Sequence, residues 1–315
     1  MENQLQLTHQ ALLKTFKAFA KYCEDNHITY YAAYGTLIGA VRHHGFIPWD
    51  DDIDVYMKRA DYERFMALRD TLADSPYRIC DILDGQSPHT MGKFYSTSGT
   101  IWEYRHFPFI IGPFIDVYPL DEGTKGDKEA EKAYEDLHYS MWKYRKALSN
   151  PSWKDILHDI VYNPVNAIIN LVKKCRYAPL KTYYLRKISM YISNVKNIKG
   201  ESLQVYMGDG LKNEFYDKTW FEENPQRVPF EDTSILIPKN YHEILTLMYG
   251  DYMQLPPENS RKPKHGGFYS DLLHTKTREE ILKELKDKKI DEGPQMSLKI
   301  VWNEFRHRRG WLKTW

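Results

Sequence analysis

The first third of the chain alternates between helical and extended patterns of apolar residues. Leucine, phenylalanine and alanine recur at helical spacing over residues 5–25, which predicts one amphipathic helix. The same kind of spacing predicts a short helix at 36–41, a helix from 61 to 72, and a later helix at 241–249 that ends at Gly250.

Extended segments lie between these helices. Short runs of β-branched and aromatic residues predict strands at 30–34, 53–57, 77–83, 93–97, 114–118 and around 235–238. Because helices and strands are mixed along the chain, we expect an α+β fold in which a mixed β-sheet is flanked by helices.

The middle of the chain differs in charge from the rest. Residues 141–200 contain twelve Lys or Arg against Asp155 and Asp159, a net charge of +10, whereas the whole chain carries only +1. Apolar residues recur through the same stretch and Pro164 interrupts it, which predicts at least two helices.

Three interpretations of this basic segment stay open. It is a solvated helical face without a partner, a surface that rests on an anionic membrane leaflet, or a site for a polyanionic acceptor. We expect no nucleic acid as partner, because no recognition motif accompanies the charge.

The overall composition is that of a globular protein in a reducing compartment. Apolar residues make up 42% and charged residues 28% of the chain. The three cysteines are odd in number and lack metal-ligand spacing, so no disulfide framework is expected. The first residues do not resemble a signal peptide, and no apolar run is long enough to span a membrane. We expect a cytoplasmic protein, with peripheral contact to the inner face of the membrane if the basic segment binds it.

Residues 34–55 are the most informative part of the sequence. A Gly-Thr turn leads into a short helical run, and four carboxylates follow within five residues: Asp50, Asp51, Asp52 and Asp54. So many like charges in a row are unfavourable unless a cation neutralises them. Since they run directly into an apolar strand, a divalent metal explains them better than a solvated acidic loop.

Three acids are candidate metal ligands. Alternation along a strand predicts that Asp52 and Asp54 point to the same face, where two carboxylates suit Mg²⁺ or Mn²⁺. Asp116 is the acid within the apolar run at 114–118, and it is the candidate third ligand from a neighbouring strand.

An anion site is predicted beside these acids. Gly35 and Thr36 offer backbone N–H groups and a hydroxyl near a helix start, which suits a phosphate. Arg42 lies one to two turns further on, within reach of the same phosphate.

Other interpretations of the acidic run fit less well. An EF-hand loop requires Gly where Val55 stands and Glu where Asp61 stands. No Walker P-loop, dinucleotide-binding glycine motif or His-Glu-x-x-His is present. Acids that cap turns at a strand entry and face water explain a lone pair of aspartates, but not the whole set.

The same residues resemble the LicD family, which is related to fukutin and fukutin-related protein within the nucleotidyltransferase-fold superfamily. The resemblance rests on the run Tyr-Gly-Thr-Leu-Ile-Gly, on Gly-Phe-Ile-Pro-Trp-Asp-Asp-Asp-Ile-Asp, and on Phe-Ile-Asp-Val-Tyr-Pro-Leu at 114–120. Segments at 237–241 and 249–257 are also similar. The resemblance covers residues 25–120 and about 228–270, and the basic segment matches no family motif.

The resemblance implies a domain plan. A nucleotidyltransferase-like catalytic core would occupy residues 1–135, and the basic helical insertion would occupy 136–207. The C-terminal region of helix and loop, 208–315, would complete the active-site side of the fold.

The resemblance also implies a reaction. Relatives transfer a phospho-linked group from a CDP-activated donor to a sugar hydroxyl, and phosphocholine from CDP-choline is the best-known case. The acceptor would be a lipid-linked or polymeric glycan such as a teichoic-acid precursor. Ribitol-, glycerol- or sugar-phosphate from another nucleotide-activated donor is the alternative.

The resemblance carries roles to individual residues. Asp52, Asp54 and Asp116 would be the catalytic and metal-binding acids, and Asp116 or Asp52 would accept the proton of the sugar hydroxyl. Gly35, Thr36 and Lys93 would hold phosphate oxygens, and an ordinary lysine at a strand edge is the alternative for Lys93. A choline group would need an aromatic or acidic pocket. The aromatic residues near the motifs are Trp49, Trp102, Tyr104 and Tyr118.

Two rival functions stay open at this point. A nucleotidyltransferase would join a nucleotide to the acceptor, and would differ in which side of the diphosphate is attacked. A non-catalytic binding protein of glycan assembly would keep the fold without the chemistry, although the intact acidic set disfavours it.

Overall fold

The run of aspartates at 50–54 leads into an inner strand of a mixed β-sheet that is covered by helices. The computed structural model describes residues 2–104, 107–149, 151, 153–206, 215–222, 224–263 and 268–287. The predicted α+β fold is confirmed.

The strands form one large sheet and two ribbons. In chain order they are β1 (Tyr31–Ala32), β2 (Asp54–Lys58), β3 (Tyr77–Cys80), β4 (Gly92–Ser96), β5 (Thr100–Trp102), β6 (Phe114–Gly123), β7 (Ser202–Gln204), β8 (Phe215–Asp217), β9 (Gln226–Phe230), β10 (Thr233–Ile237) and β11 (Tyr269–Asp271). The large sheet has the order β1–β2–β6–β4–β3. Strands β2 and β6 are parallel, and the other neighbours in this order are antiparallel. The ribbons pair β9 with β10 and β5 with β11.

The helices cover this sheet. They are α1 (Glu2–Asp25), α2 (Tyr34–Ile38), α3 (Arg59–Ala67), α4 (Lys128–Leu148), α5 (Trp153–Tyr162), α6 (Pro164–Val172), α7 (Lys181–Asn197), α8 (Tyr241–Tyr249) and α9 (Arg278–Asp287). The predicted amphipathic face of α1 is confirmed, since Leu12, Phe16 and Phe19 are buried. Phe19 meets Phe94 of β4 and Phe65 of α3 edge-on, with ring centroids 5.6 and 5.8 Å apart.

Strand β3 ends earlier than the predicted 77–83. After Cys80 the chain turns, because the Asp81 carboxylate accepts the N–H groups of Leu83 and Asp84. Such a side-chain turn competes with the hydrogen bonds of the strand, and here it ends β3 at Cys80.

Strand β6 is longer than the predicted 114–118 and connects distant parts of the chain. Its first half lies between β2 and β4, and its second half pairs with β7, which in turn pairs with β8. The large sheet therefore takes strands from all three regions predicted from the sequence. The boundaries of those regions stay a prediction, and residues 288–315 of the third lie outside the described residues.

The basic segment is helical, as predicted. Helices α4 and α7 pack against each other, with Tyr144 and Ile188 buried. Helices α5 and α6 form a hairpin around Asn163, and Pro164 occupies the first turn of α6. None of the helices in the described part of the chain has the length and hydropathy needed to cross a bilayer.

Candidate active site

The motif at residues 34–55 begins at a backbone bend. Near this bend its Gly-Thr turn meets its run of aspartates. Tyr34 has a φ of +45°, a left-handed conformation that is uncommon for residues other than glycine. An added Cβ at Gly35 would lie 2.5 Å from Asp50 Oδ2, so the carboxylate of Asp50 would have to move to accommodate a side chain there. The glycine predicted to seat a phosphate thus lies against a carboxylate from its own motif.

Two of the three predicted metal ligands lie side by side. Asp54 is the first residue of β2, and Asp116 is its direct partner in the parallel ladder with β6. Adjacent strands are about 4.8 Å apart, so the two carboxylates start from neighbouring backbone positions. Each residue is only 7% exposed. Burial raises the pKa of the Asp116 carboxyl, and the charge of Lys93 opposes that rise.

Lys93 is the counter-charge of this pair. Its Nζ donates to Asp116 Oδ1 at 2.7 Å and lies 3.6 Å from Glu103 Oε1. Burial alone would lower the pKa of Lys93, but Asp116 and Glu103 outweigh it and raise the pKa. Lys93 is 1% exposed, so it lies behind Asp116 rather than on the surface of the site. Its predicted contact with a phosphate oxygen stays a prediction.

A line of charges continues from Lys93 towards the basic helix α4. Burial raises the pKa of Glu103, but Lys93 and His89 hold it at about 2. His89 Nε2 lies 3.6 Å from Glu103 Oε1, and Arg145 Nη2 of α4 lies 3.1 Å from His89 Nδ1. Asp116 is therefore connected to Arg145 of α4 through the side chains of Lys93, Glu103 and His89.

Thr36 holds the second acid of the pair. Its Oγ1 accepts a hydrogen bond from the backbone N–H of Asp54 at 2.9 Å, and the residue is 4% exposed. Because Asp54 is the first residue of its strand, this bond fixes where β2 begins. The structure places the Thr36 hydroxyl against the backbone of Asp54, and its predicted contact with phosphate is not tested.

Asp52 precedes β2 and does not lie in it. Strand β2 begins only at Asp54, but Asp52 and Asp54 both line the same cleft, and their predicted shared face stays a prediction. The three acids still approach one another around the phenol of Tyr118. Burial raises the pKa of Tyr118, and the charges of Asp54, Asp116 and Asp52 raise it further.

The acids open into a cleft of about 1560 Å³. Its wall contains five of the predicted site residues, namely Gly35, Arg42, Asp52, Asp54 and Asp116. Residues of the C-terminal loop at 249–263 and of the first turns of α1 also line it. The cleft is thus built from three parts of the chain that are distant in sequence.

Arg42 fastens the C-terminal loop to the motif. Its Nη1 donates to the carbonyl oxygen of Tyr252 at 2.5 Å and approaches that of Gln254 at 3.4 Å. Burial lowers the pKa of the Arg42 guanidinium. Its side chain lines the cleft, so its predicted contact with a phosphate stays open beside this positioning role.

Two cations of the same loop also line the cleft. The guanidinium carbon of Arg261 lies 5.5 Å from the centre of the Trp49 ring, and Lys262 is the second cation. Sequence reasoning did not select them, although they stand in a segment that resembles the family. A cleft lined by both acidic and cationic side chains suits a ligand that carries charges of both signs.

Two further residues position the motif without any local sequence signal. His9 Nε2 of α1 donates to the carbonyl oxygen of Asp50 at 2.7 Å. Glu231, in the turn between β9 and β10, accepts the N–H of Phe46 at 2.9 Å and donates its own N–H to His44. Both contacts join segments that are far apart in the chain, so no spacing rule reveals them.

The aromatic residues considered for a choline pocket divide into two groups. Trp102 is fully buried, and its Nε1 donates to the carbonyl of Phe107, so it belongs to the core. Trp49, Tyr104 and Tyr118 line the cleft. Sequence reasoning missed Tyr34, whose ring packs 5.3 Å from that of Tyr118 next to the acids.

The carboxylates of the site supply some, but not all, of the ligands that a hard divalent cation needs. Asp54 and Asp116 offer two neighbouring carboxylates at the cleft, which are ligands that Mg²⁺ accepts. Within the described residues no group of three or more His, Cys, Asp or Glu side chains is spaced to hold a metal. The pair therefore fits Mg²⁺ if water and phosphate oxygens complete its shell, and the predicted third ligand, Asp52, stays a prediction.

Comparison with known proteins identifies the family. Residues 27–154 match the family described as LicD/FKTN/FKRP, nucleotidyltransferase domain. The chain is 32% identical to the lipopolysaccharide cholinephosphotransferase LicD of Haemophilus influenzae over 279 residues, which cover 83% of this chain and 97% of that protein. The chain belongs to the LicD family. The resemblance inferred from the motif is confirmed, and so is the enzyme class, a transferase.

Two shorter matches lie in uncharacterized proteins of Rickettsia. One, from Rickettsia typhi, is 43% identical over 54 residues, which are 17% of this chain and 18% of that protein. The other, from Rickettsia prowazekii, is 53% identical over 36 residues, 11% of this chain and 14% of that protein. All the site residues that were predicted from the sequence of this LicD family chain lie within residues 27–154, the range that matches the family.

Proposed function

We propose that the protein transfers phosphocholine from CDP-choline to a sugar hydroxyl of a cell-surface glycan or teichoic-acid precursor, with Mg²⁺ or Mn²⁺. The observation that carries the proposal is the buried Asp54–Asp116 pair at a large cleft. Similarity to a cholinephosphotransferase over most of the chain supports phosphocholine as the transferred group.

In the proposed reaction the phosphocholine group moves from CMP to the sugar oxygen. The oxygen of the sugar hydroxyl forms a bond to the phosphorus that carries choline, and the bond from that phosphorus to CMP breaks. CMP leaves with the electron pair of the broken bond, and Asp116 or Asp52 accepts the proton of the hydroxyl. Burial raises the pKa of Asp116, which makes its carboxylate a stronger base.

Asp54 and Asp116 are the ligands that we assign to the metal, with Asp52 as the candidate third. When bound, Mg²⁺ would neutralise the diphosphate and the charge that builds on the departing CMP. Mg²⁺ often uses only one or two carboxylates and fills its shell with water and phosphate oxygens, so the pair is sufficient. Lys93 holds Asp116 at its position in the sheet.

The two ends of the donor would find different environments in the cleft. The quaternary ammonium of choline suits the aromatic faces that line the cleft, among them Tyr34, Tyr104 and Tyr118, since such faces attract cations. The diphosphate would lie at the metal held by Asp54 and Asp116, and Arg261 and Lys262, which also line the cleft, would attract its phosphates. A cleft of about 1560 Å³ is larger than a typical small-molecule site and leaves room for the end of a glycan.

A donor series tests the proposal. The purified protein is incubated with Mg²⁺, a teichoic-acid or lipopolysaccharide fraction, and either CDP-choline, CDP-ribitol, CDP-glycerol or CTP, and released CMP and pyrophosphate are measured. We expect CMP from CDP-choline and choline incorporated into the glycan. CMP from another CDP-linked donor alone would identify the alternative group, and pyrophosphate from CTP would identify a nucleotidyltransferase.

A matched pair of variants links the activity to the site. Asp54→Asn should lower turnover at least a hundredfold while the thermal unfolding profile stays that of a folded protein. Asp74→Asn removes an exposed carboxylate outside the cleft and should leave turnover unchanged. Equal turnover in Asp54→Asn and the wild type would contradict the assignment.

A further inference from the structure

The hairpin formed by α5 and α6 presents its apolar side to the surface. At 100° per residue, seven of the exposed apolar side chains fall within one arc of each helix, and the exposed Tyr162 at the end of α5 lies outside it. They are Trp153, Leu157, Ile160 and Val161 on α5, and Ile168, Leu171 and Val172 on α6. Leu157 is 63% exposed, Val161 74% and Ile168 65%. A surface helix of a globular protein normally turns such a stripe towards the core.

Polar side chains hold the two helices of the hairpin together. Asp159 of α5 accepts hydrogen bonds from the side-chain amides of Asn166 at 2.6 Å and Asn170 at 2.9 Å, both of α6. Asn170 is only 8% exposed. One of the two acids of the basic segment is thus turned towards the partner helix, and the hairpin has polar contacts inside and apolar residues outside.

Basic residues collect at the base of this hairpin. Its tip is Asn163, whereas Lys174, Arg176 and Lys181 follow α6 at the opposite end. Lys174 Nζ lies 5.2 Å from the centre of the Trp153 ring. The whole segment 141–200 carries a net charge of +10.

The dimensions of the hairpin limit how deeply it inserts. Helices α5 and α6 contain 10 and 9 residues. At 1.5 Å per residue each is about 14 Å long, roughly half the thickness of a bilayer core. The hairpin therefore reaches into one leaflet and does not span the membrane.

We propose that the α5–α6 hairpin docks on an anionic lipid bilayer, with its apolar arcs in the acyl region and the basic residues at its base among the headgroups. A second copy of the chain is the less favourable occupant of this surface, because the same positive charge would face itself across the interface. The proposal does not depend on the phosphocholine reaction, and its test requires no turnover.

Flotation with lipid vesicles tests the proposal on the full-length chain. At about 0.15 M salt, we expect the wild type to float with vesicles that contain phosphatidylglycerol and to remain unbound with phosphatidylcholine alone. The triple variant Leu157→Ser, Val161→Ser, Ile168→Ser should lower the bound fraction at least tenfold. The control variant Leu247→Ser, Leu273→Ser, Leu282→Ser replaces exposed leucines elsewhere and should bind as the wild type does.

Charge and self-association complete the test. Lys181→Gln and Arg176→Gln should each weaken binding to the anionic vesicles about fivefold. Circular dichroism and the melting temperature verify that every variant is folded. The proposal is overturned if the wild type does not float, or if the triple variant floats equally well. Sedimentation that shows a wild-type dimer dissociated by the triple variant, without vesicle binding, would assign the surface to a second copy instead.

Discussion

Lys93 and Asp116 lie opposite each other in the antiparallel ladder of β4 and β6, and their side chains form an ion pair of 2.7 Å. Both residues are buried, so each neutralises a charge that water solvates poorly. The position of the candidate catalytic acid therefore depends on a lysine from a neighbouring strand.

Replacing Lys93 with Met should destabilise the fold strongly. The change leaves Asp116 buried without its cation, which costs about 3–5 kcal/mol for a broken buried pair. Adding Asp116→Asn removes the uncompensated charge, so the double variant should recover part of the unfolding free energy in urea titrations. Strictly additive losses in the two single variants and the double variant would show that the pair is not coupled.

Thr36→Val should impair the site more than Thr36→Ser does. Valine keeps the shape of threonine but removes the oxygen that accepts the N–H of Asp54, which costs about 1–3 kcal/mol for a buried donor. Serine keeps this oxygen. We expect kcat to fall at least tenfold in the valine variant and to stay near the wild-type value in the serine variant. Similar kcat values in both variants would argue against the positioning role.

Gly35→Ala should displace the carboxylate of Asp50. The new methyl group would lie 2.5 Å from Asp50 Oδ2, the end of a flexible side chain, so the carboxylate has to move aside. Because Asp50 lines the cleft, donor turnover should fall more than stability does. Truncation of the acid in Gly35→Ala, Asp50→Ala removes the overlap and should restore the melting temperature. A double variant no more stable than Gly35→Ala would locate the strain elsewhere.

Arg42→Ala should loosen the C-terminal loop from the motif. Without the guanidinium, the carbonyl of Tyr252 loses its donor, and we expect KM for the CDP-linked donor to rise about tenfold with a smaller change in kcat. Limited proteolysis should cut the loop at 250–263 faster. Arg227→Ala, at an exposed arginine of β9, is the control and should change neither measurement. A higher KM with unchanged proteolysis would instead indicate direct contact of Arg42 with a phosphate.

Asp271→Asn should lower stability in a pH-dependent way. Burial raises the pKa of Asp271, but hydrogen bonds from Lys276, Leu273 and His274 outweigh it and hold the pKa at about 2, below the ordinary 3.8. Since the folded pKa is the lower one, the stabilisation is complete above the ordinary value and is lost as the pH falls towards 2. We expect a loss of about 1 kcal/mol at neutral pH, as for a partly exposed pair.

Urea titrations of the wild type and Asp271→Asn at several pH values check this sign. The difference in unfolding free energy should be constant at neutral pH and should shrink below about pH 4 as Asp271 binds its proton in the unfolded chain. A difference that grows on acidification would mean that the pKa of Asp271 is raised on folding.

The sequence by itself determined the local elements and the chemical types of the site. Helical and alternating patterns arise from contacts within a few residues, so α1, β2 and α8 follow directly from them. The acids Asp52 and Asp54 also stand out locally, because like charges beside an apolar strand require a cation. Asp116 could be selected as a third site acid only because it lies within an apolar run and because the sequence resembles the family.

Only the tertiary structure decided which side chains meet. Lys93 and Asp116 are 23 residues apart, and Arg42 and Tyr252 are 210 apart, so no local spacing encodes either contact. The sheet order that joins β4, β6 and β2 creates the first, and the packing of the C-terminal loop creates the second. The sequence likewise showed that apolar residues recur in the basic segment. Whether they face the core or the surface depends on how the helices pack in the folded chain.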